Sequence, residues 1–190
     1  MTFTFVSGNL ALDFAGTLQH RDSAPVDLLS APVRLREWSV AAGLVDAPPG
    51  VSEEEFARAL AVREAIYRLA GATMTGRRRR QDDIDLVNAT AAAPPVTEAL
   101  TPAGLRRSGP ADAVIASVAR AAVGLLGGPD AGRIRECGDP ACTLLFVDTS
   151  RARTRRWCDM TGCGNRAKAA GLRTRRSVGR PHGAAAAPRN

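Results

Sequence analysis

Four cysteines occur in the chain, and all lie between Cys137 and Arg166, as Cys137-x4-Cys142 and Cys158-x4-Cys163. Two close pairs separated by a short insert suit one tetrahedral metal ion. Each pair supplies two thiolates from a tight turn, and the insert lets the second pair fold back on the first. Gly138, Pro140, Gly162 and Gly164 sit in or beside these turns, where the backbone must bend sharply. Four thiolates fill the shell, so one closed structural Zn2+ site on Cys137, Cys142, Cys158 and Cys163 is expected. A catalytic zinc would keep an open position. An iron–sulfur or rubredoxin-like iron site could use the same ligands. Two disulfides would suit a secreted domain, but the start, MTFTFVSGNLALDFAG, lacks a basic leader and an unbroken apolar run.

Hydrophobic residues make up 45% of the 190 positions but aromatics only 4%, so the core must be built from Leu, Val, Ile and Ala. No apolar stretch approaches the roughly 20 residues that span a bilayer. A soluble, cytoplasmic protein with reduced thiols and no membrane partner is expected. The formal net charge of +7 is unevenly spread. Residues 1–130 hold 13 arginines against 15 acids, and residues 131–190 hold 12 arginines and Lys168 against four acids. A cationic C-terminal third beside a near-neutral remainder points to a polyanion such as nucleic acid.

The pattern before the cysteines is mostly helical. Leu10, Phe14 and Leu18 fall four apart, which predicts a helix over 9–20 capped by Asn9 or Ser7. Pro32 and Gly43 bracket a second helix, in which Trp38 reads as core. Ser52-Glu53-Glu54-Glu55 is a capping box that opens a helix to about Met74, with Phe56, Leu60, Arg63, Tyr67, Ala70 and Met74 as its seam. Arg63 interrupts that seam and either pairs with a buried acid such as Asp13 or snorkels to water. Asp13 itself reads as a buried acid bonded to local backbone. The run Arg77 to Arg80 reads as a solvated helix end, with phosphate contact as the other reading. A helix over 82–92, a small hairpin over 96–108 and an amphipathic helix from Ala111 to Leu126 follow, and Gly127-Gly128-Pro129 supplies a linker. His20 reads as a surface residue.

Around the cysteines, strands near Arg133–Arg135 and Thr143–Asp148 and a helix from Cys163 or Gly164 to Arg176 are expected. That order is similar to a treble-clef or zinc-ribbon-like finger. The overall expectation is an α+β fold in three parts. Residues 1–128 form a mostly helical domain with a small hairpin, 129–178 form the four-cysteine zinc finger, and 179–190 form a disordered tail holding His182.

Nine basic residues between Arg151 and Arg176 face one acid, Asp159. They are Arg151, Arg153, Arg155 and Arg156 in the insert, Arg166 and Lys168 at the helix start, and Arg173, Arg175 and Arg176 near its end. Arg135, Arg156 or Arg166 can balance the formal −2 of a four-thiolate zinc, but nine exceed what balancing needs, so all nine are candidate phosphate contacts, with Arg166 open to bracing the thiolates instead. Trp157 either stacks on a base or packs on the zinc hairpin. Asn165 is expected to bond local backbone.

The run Trp157-Cys158-x4-Cys163-Gly164-Asn165-Arg166 resembles the CGNR zinc finger, and the first pair followed by Leu144-Leu145-Phe146 resembles the same module. Leu10-Ala11-Leu12-Asp13-Phe14-Ala15-Gly16-Thr17 resembles a segment of the ABATE domain, with Gly16 where that family usually carries Asn. The resemblance implies a bacterial, stress-responsive transcription regulator that binds duplex DNA through the finger and receives a signal or assembles through the N-terminal domain; a homodimer is expected because many regulators read paired half-sites. RNA binding, or a redox-sensing or protein-interaction role without nucleic acid, are the other readings. No Gly-rich phosphate loop or metal-plus-base signature is present, and the chain holds two histidines, so a non-enzyme is expected.

Overall fold

The computed structural model describes residues 2–169. The far end of the expected final helix, Arg173, Arg175, Arg176, His182 and the tail 179–190 lie outside the described residues.

Five helices carry the N-terminal part: α1 (Leu10–Ala15), α2 (Pro32–Ala41), α3 (Glu53–Thr75), α4 (Gln81–Ala92) and α5 (Ala111–Gly127). Three two-stranded antiparallel hairpins join them: β1 (Leu18–Gln19) with β2 (Val26–Asp27), β3 (Thr97–Thr101) with β4 (Gly104–Ser108), and β5 (Ile134–Glu136) with β6 (Leu145–Val147). α3, α4 and α5 pack on one another, and α1 lies against α3 and α5.

Local chemistry accounts for the helix ends. Asn9 accepts from the Ala11 N–H at the start of α1. At α3 the Ser52 hydroxyl accepts from Glu55 N at 3.2 Å, and the Glu55 carboxylate accepts from Ser52 N at 2.7 Å. Two orphan donors are thereby satisfied reciprocally. Gly76 ends α3 at φ 66°, a conformation that favours glycine.

α1 stops at Ala15, short of the expected 9–20 span, because Gly16 and Thr17 turn the chain into β1. The buried face of α3 also differs from the expected seam. Ala59, Val62, Ala65, Ile66 and Leu69 point inward, while Phe56, Leu60, Tyr67 and Met74 flank them, partly buried. Small residues mark the inner face because α5 packs there, and Val114, Ile115, Val118 and Ala122 of that helix belong to the same buried cluster. Trp38 is fully buried and its ring lies 4.8 Å from that of Phe14. Burial of such a side chain stabilises the fold by about 3 kcal/mol.

Arg63 is 4% exposed and neither snorkels nor reaches Asp13. It grips Asp27 bidentately, Nη1 at 2.7 Å and Nη2 at 2.9 Å, and its Nε donates to Glu64 at 3.0 Å. Arg21 donates to the same Glu64 and lies 3.8 Å over the Tyr67 ring. Burial alone would push the Glu64 carboxyl up, but Arg21 and Arg63 outweigh it and hold the group below its ordinary range. Asp13 accepts from Ser7 N at 2.9 Å, and burial raises its pKa.

The β5–β6 hairpin is shared between the two ends of the chain. Ile134 pairs with Val147 and Glu136 with Leu145, so these four side chains lie on one face of the ladder. Ile134, Leu145 and Val147 enter the helical core. Arg135 and Phe146 pair on the other face, and Phe146 packs on the cysteines. A division at residue 128 therefore separates segments that share one core.

Candidate metal centre and basic surface

The hairpin carries the first cysteine turn between its strands. Cys137 N donates to Leu144 O at 3.0 Å and Cys142 N to Asp139 O at 2.8 Å, which closes a tight knuckle. The second knuckle is the turn Met160–Gly164, where the Asp159 carboxylate accepts from Gly162 N at 2.8 Å. A helix then runs over 165–169. Trp157 sits between the knuckles, against Gly138 and Gly164, where an added Cβ would lie 3.2 Å and 3.5 Å from its ring. The structure thus gives Trp157 the packing role.

The four sulfurs lie within 4.8 Å of one another, all buried and none disulfide-bonded. Cys142 and Cys158 Sγ are 3.8 Å apart, and Cys158 and Cys163 Sγ are 3.6 Å apart. Thiolates at the usual Zn–S length of about 2.3 Å, arranged tetrahedrally, sit roughly 3.8 Å from one another. The donor set therefore fits one zinc ion. Its role there would be to tie the two knuckles together, since four thiolates leave no position open for chemistry.

Hydrogen bonds link neighbouring sulfurs. The hydrogen bond from Cys158 takes the Cys142 thiol down to about 5, and the same bond pushes Cys158 up. Burial pushes Cys163 up to about 12. Cys158 N also donates to Cys137 Sγ at 3.4 Å.

A second layer braces the ligands. Arg166 donates through Nη2 to Cys163 Sγ and through Nε to Asp139, both at 2.8 Å. That bond holds Asp139 below its ordinary carboxylate range. One guanidinium thus links the second knuckle to the first and offsets thiolate charge. Asn165 Nδ2 donates to Thr161 O at 3.0 Å, as expected of a residue bonding its own turn.

Arg155 is the other brace. Its Nη2 donates to Val6 O at 2.8 Å and also to Cys158 O, its Nε donates to Trp157 O at 3.0 Å, and its guanidinium lies 4.4 Å over the Phe146 ring. Asp148, 1% exposed, holds the same loop by accepting from Ser150 and from Arg155 N. A phosphate contact by Arg155 or Arg166 would compete with these internal bonds.

The rest of the expected basic surface divides cleanly. Arg151, Arg153, Arg156 and Lys168 are exposed, and among the described residues none makes a side-chain hydrogen bond or ion pair. Arg156 lies 5.3 Å over Trp157. Arg173, Arg175 and Arg176 fall outside the described residues.

Two interactions escaped sequence reasoning. His20, at φ 52°, hydrogen-bonds through Nδ1 to Ala141 O in the first knuckle. Arg21 N donates to Thr143 Oγ1 at 3.2 Å. Both partners are more than 120 residues away, and one is a backbone carbonyl, which leaves no trace in sequence. No helix among the described residues is long and apolar enough to cross a membrane.

Two known families match successive parts of the chain. Residues 133–176 match the CGNR zinc finger. Residues 8–129, more than half the chain, match the ABATE family, described as "putative stress-induced transcription regulator". A search of curated proteins returned no match. The two matches follow one another in the order in which the helices and the knuckles occur, and the chain belongs to the ABATE family, with a C-terminal CGNR zinc finger.

Proposed function

We propose that the protein is a non-enzymatic, cytoplasmic transcription regulator that binds duplex DNA through its zinc finger. The observation that carries this reading is the division among the finger's arginines. Arg155 and Arg166 are engaged internally, whereas Arg151, Arg153, Arg156 and Lys168 project into solvent with no hydrogen-bond or ion-pair partner among the described residues. Unpaired arginines grouped on a small rigid unit are suited to phosphate oxygens. Arg173, Arg175 and Arg176 extend the same cationic stretch in sequence. The helical domain receives a signal or assembles the protein. A homodimer would present two fingers to paired half-sites.

The test is a titration of zinc-loaded protein against duplex DNA, single-stranded DNA and structured RNA at two salt concentrations. Arg151→Ala/Arg153→Ala/Arg156→Ala is compared with the parent. Duplex binding should weaken with salt, and the triple variant should lower the salt slope by roughly one unit for each phosphate it no longer neutralises. Preference for RNA would move the reading to RNA binding, and no binding with zinc retained would remove nucleic acid altogether.

A second reading has one observation behind it. A cleft of about 170 Å³ reaches Cys142, Cys158 and Cys163 from solvent. A peroxide entering there would accept two electrons from two thiolates, becoming water as a disulfide forms and zinc leaves. Zinc release at low peroxide, measured with a colorimetric chelator, supports this sensor role; retention of zinc rejects it.

A further inference from the structure

A second cationic feature lies away from the finger's basic insert. A groove of about 390 Å³ opens where α3, the linker to α4 and the β5–β6 hairpin meet. Tyr67 and Arg68 of α3, Arg77 and Arg78 of the linker, and Glu136 and Leu145 of the hairpin line it.

The four linker arginines are not equivalent. Arg79 is committed to structure, its Nη2 donating to Leu126 O at 2.8 Å and its Nε to Thr73 Oγ1 at 3.0 Å. Arg80 leans toward Asp82 at 3.6 Å. Arg77 and Arg78 are exposed, and among the described residues neither side chain makes a hydrogen bond or ion pair. Arg68 holds Asp83 through Nε and Nη2, which leaves its Nη1 without a partner among the described residues. The groove thus sets Arg68, Arg77, Arg78 and Arg80 against the carboxylates of Asp83 and Glu136. Positive charge is in surplus there, and two guanidiniums are unengaged.

The groove also has a definite position relative to the metal centre. Glu136 and Leu145 are a cross-strand pair on one face of the hairpin. Phe146 lies on the other face, packed on the cysteines. A ligand in the groove therefore presses on a two-stranded ladder whose reverse side supports the zinc knuckles.

We propose that this groove binds a small molecule carrying a di- or triphosphate group, and that the ligand acts as the effector of the finger. A volume of about 390 Å³ suits a ligand larger than a single phosphate, within the 300–1,000 Å³ that is typical of small-molecule sites. Adjacent free guanidiniums fit successive phosphates bidentately, and the Tyr67 ring supplies an apolar wall. The effector role rests on the regulator reading; the binding itself does not.

Calorimetry on the zinc-loaded full chain tests it, with orthophosphate, pyrophosphate and ATP as probes. Arg77→Ala/Arg78→Ala is compared with the parent and with Arg151→Ala/Arg153→Ala/Arg156→Ala, and circular dichroism checks that each is folded. The expected result is that pyrophosphate and ATP bind more tightly than orthophosphate. The linker variant should lose roughly 10-fold or more in affinity, as expected when charge-assisted bonds are removed, while the insert variant is unchanged. Absence of binding by the parent, equal loss in both variants, or no loss in the linker variant overturns the proposal. A duplex-DNA arm separates the sources of phosphate. If the linker variant weakens duplex binding while the parent ignores pyrophosphate, the arginines serve nucleic-acid backbone and the small-molecule site is rejected. Failure of the DNA reading is visible separately, as no duplex binding by the parent.

Discussion

The helical domain and the finger hold their shapes by different means. Around α1, α3 and α5 the interior is a continuous apolar cluster, with Trp38, Phe14 and Leu12 fully buried. The guanidinium buried beside it, Arg63, is answered by Asp27 and Glu64. Around the cysteines there is little apolar matter: Phe146 buried, Leu144 and Trp157 half-buried, and four sulfurs. The finger's backbone is held by Arg155, Arg166, Asp139 and Asp148, which reach main-chain atoms or a thiolate. A domain stabilised by area removed from water tolerates change gradually, whereas one stabilised by a metal and a few charged braces fails in steps.

The sharpest way to break this contrast is to remove zinc. Binding to a structural four-thiolate site of this kind is worth on the order of 10 kcal/mol at neutral pH. Chelation, or Cys163→Ser, should abolish ordered amide signals over the two knuckles in NMR spectra. Far-ultraviolet circular dichroism should retain most of its helical signal. Loss of both together would show that the helical core depends on the metal.

Acid sharpens the same contrast. Thiolates must be free of protons to hold zinc, so metal affinity falls as pH falls. Asp83 and Glu64 are held below their ordinary values, Asp83 by the hydrogen bond from Arg68 and Glu64 by arginines that outweigh its burial. A depressed carboxyl stabilises the fold fully above its unfolded pKa of about 4 and loses that contribution as pH falls through the folded value. Acid titration followed by zinc release and by helical signal should therefore show zinc leaving at the higher pH.

Arg63→Ala comes next in size. It leaves Asp27 without its cation and Glu64 with Arg21 alone, and should cost about 3 kcal/mol in urea unfolding. Zinc content should be unchanged. Arg155→Ala is the matching change in the finger: it removes donors to Val6, Trp157 and Cys158 carbonyls and should cost about 2 kcal/mol. Its mark should be faster zinc loss to a competing chelator rather than a lower helical midpoint. The smallest effect is Ser52→Ala, which removes half of the capping box and should lower global stability by about 1 kcal/mol.

The parts visible in sequence are those with local causes. Ser52 and Glu55 mark the start of α3 because the capping bonds span three residues. The cysteine ligands are visible because each knuckle is closed within six residues. Much of the inner face of α3 was hidden because Ala59, Val62 and Ala65 fill it, while the larger Phe56 and Tyr67, which dominate a periodicity argument, lie on its flanks. The partner of Arg63 comes from β2, 36 positions away, and nothing near either residue announces the pairing. Arg155 looks like any other surface charge in a basic run, and for Arg166 the sequence leaves phosphate contact and bracing of the thiolates both open. Only the approach of the Val6 carbonyl and of Cys163 Sγ separates them from Arg153.

The shared hairpin limits how such a protein can be taken apart or recombined. A fragment cut at residue 133 would keep every cysteine, yet Ile134, Leu145 and Val147 would face water and Arg155 would lose the Val6 carbonyl. The reciprocal fragment would leave a hole beside α1 and α3. Neither half is an interchangeable part, so this finger cannot be grafted onto a foreign helical domain unless the graft also supplies a matching apolar seat for β5 and β6.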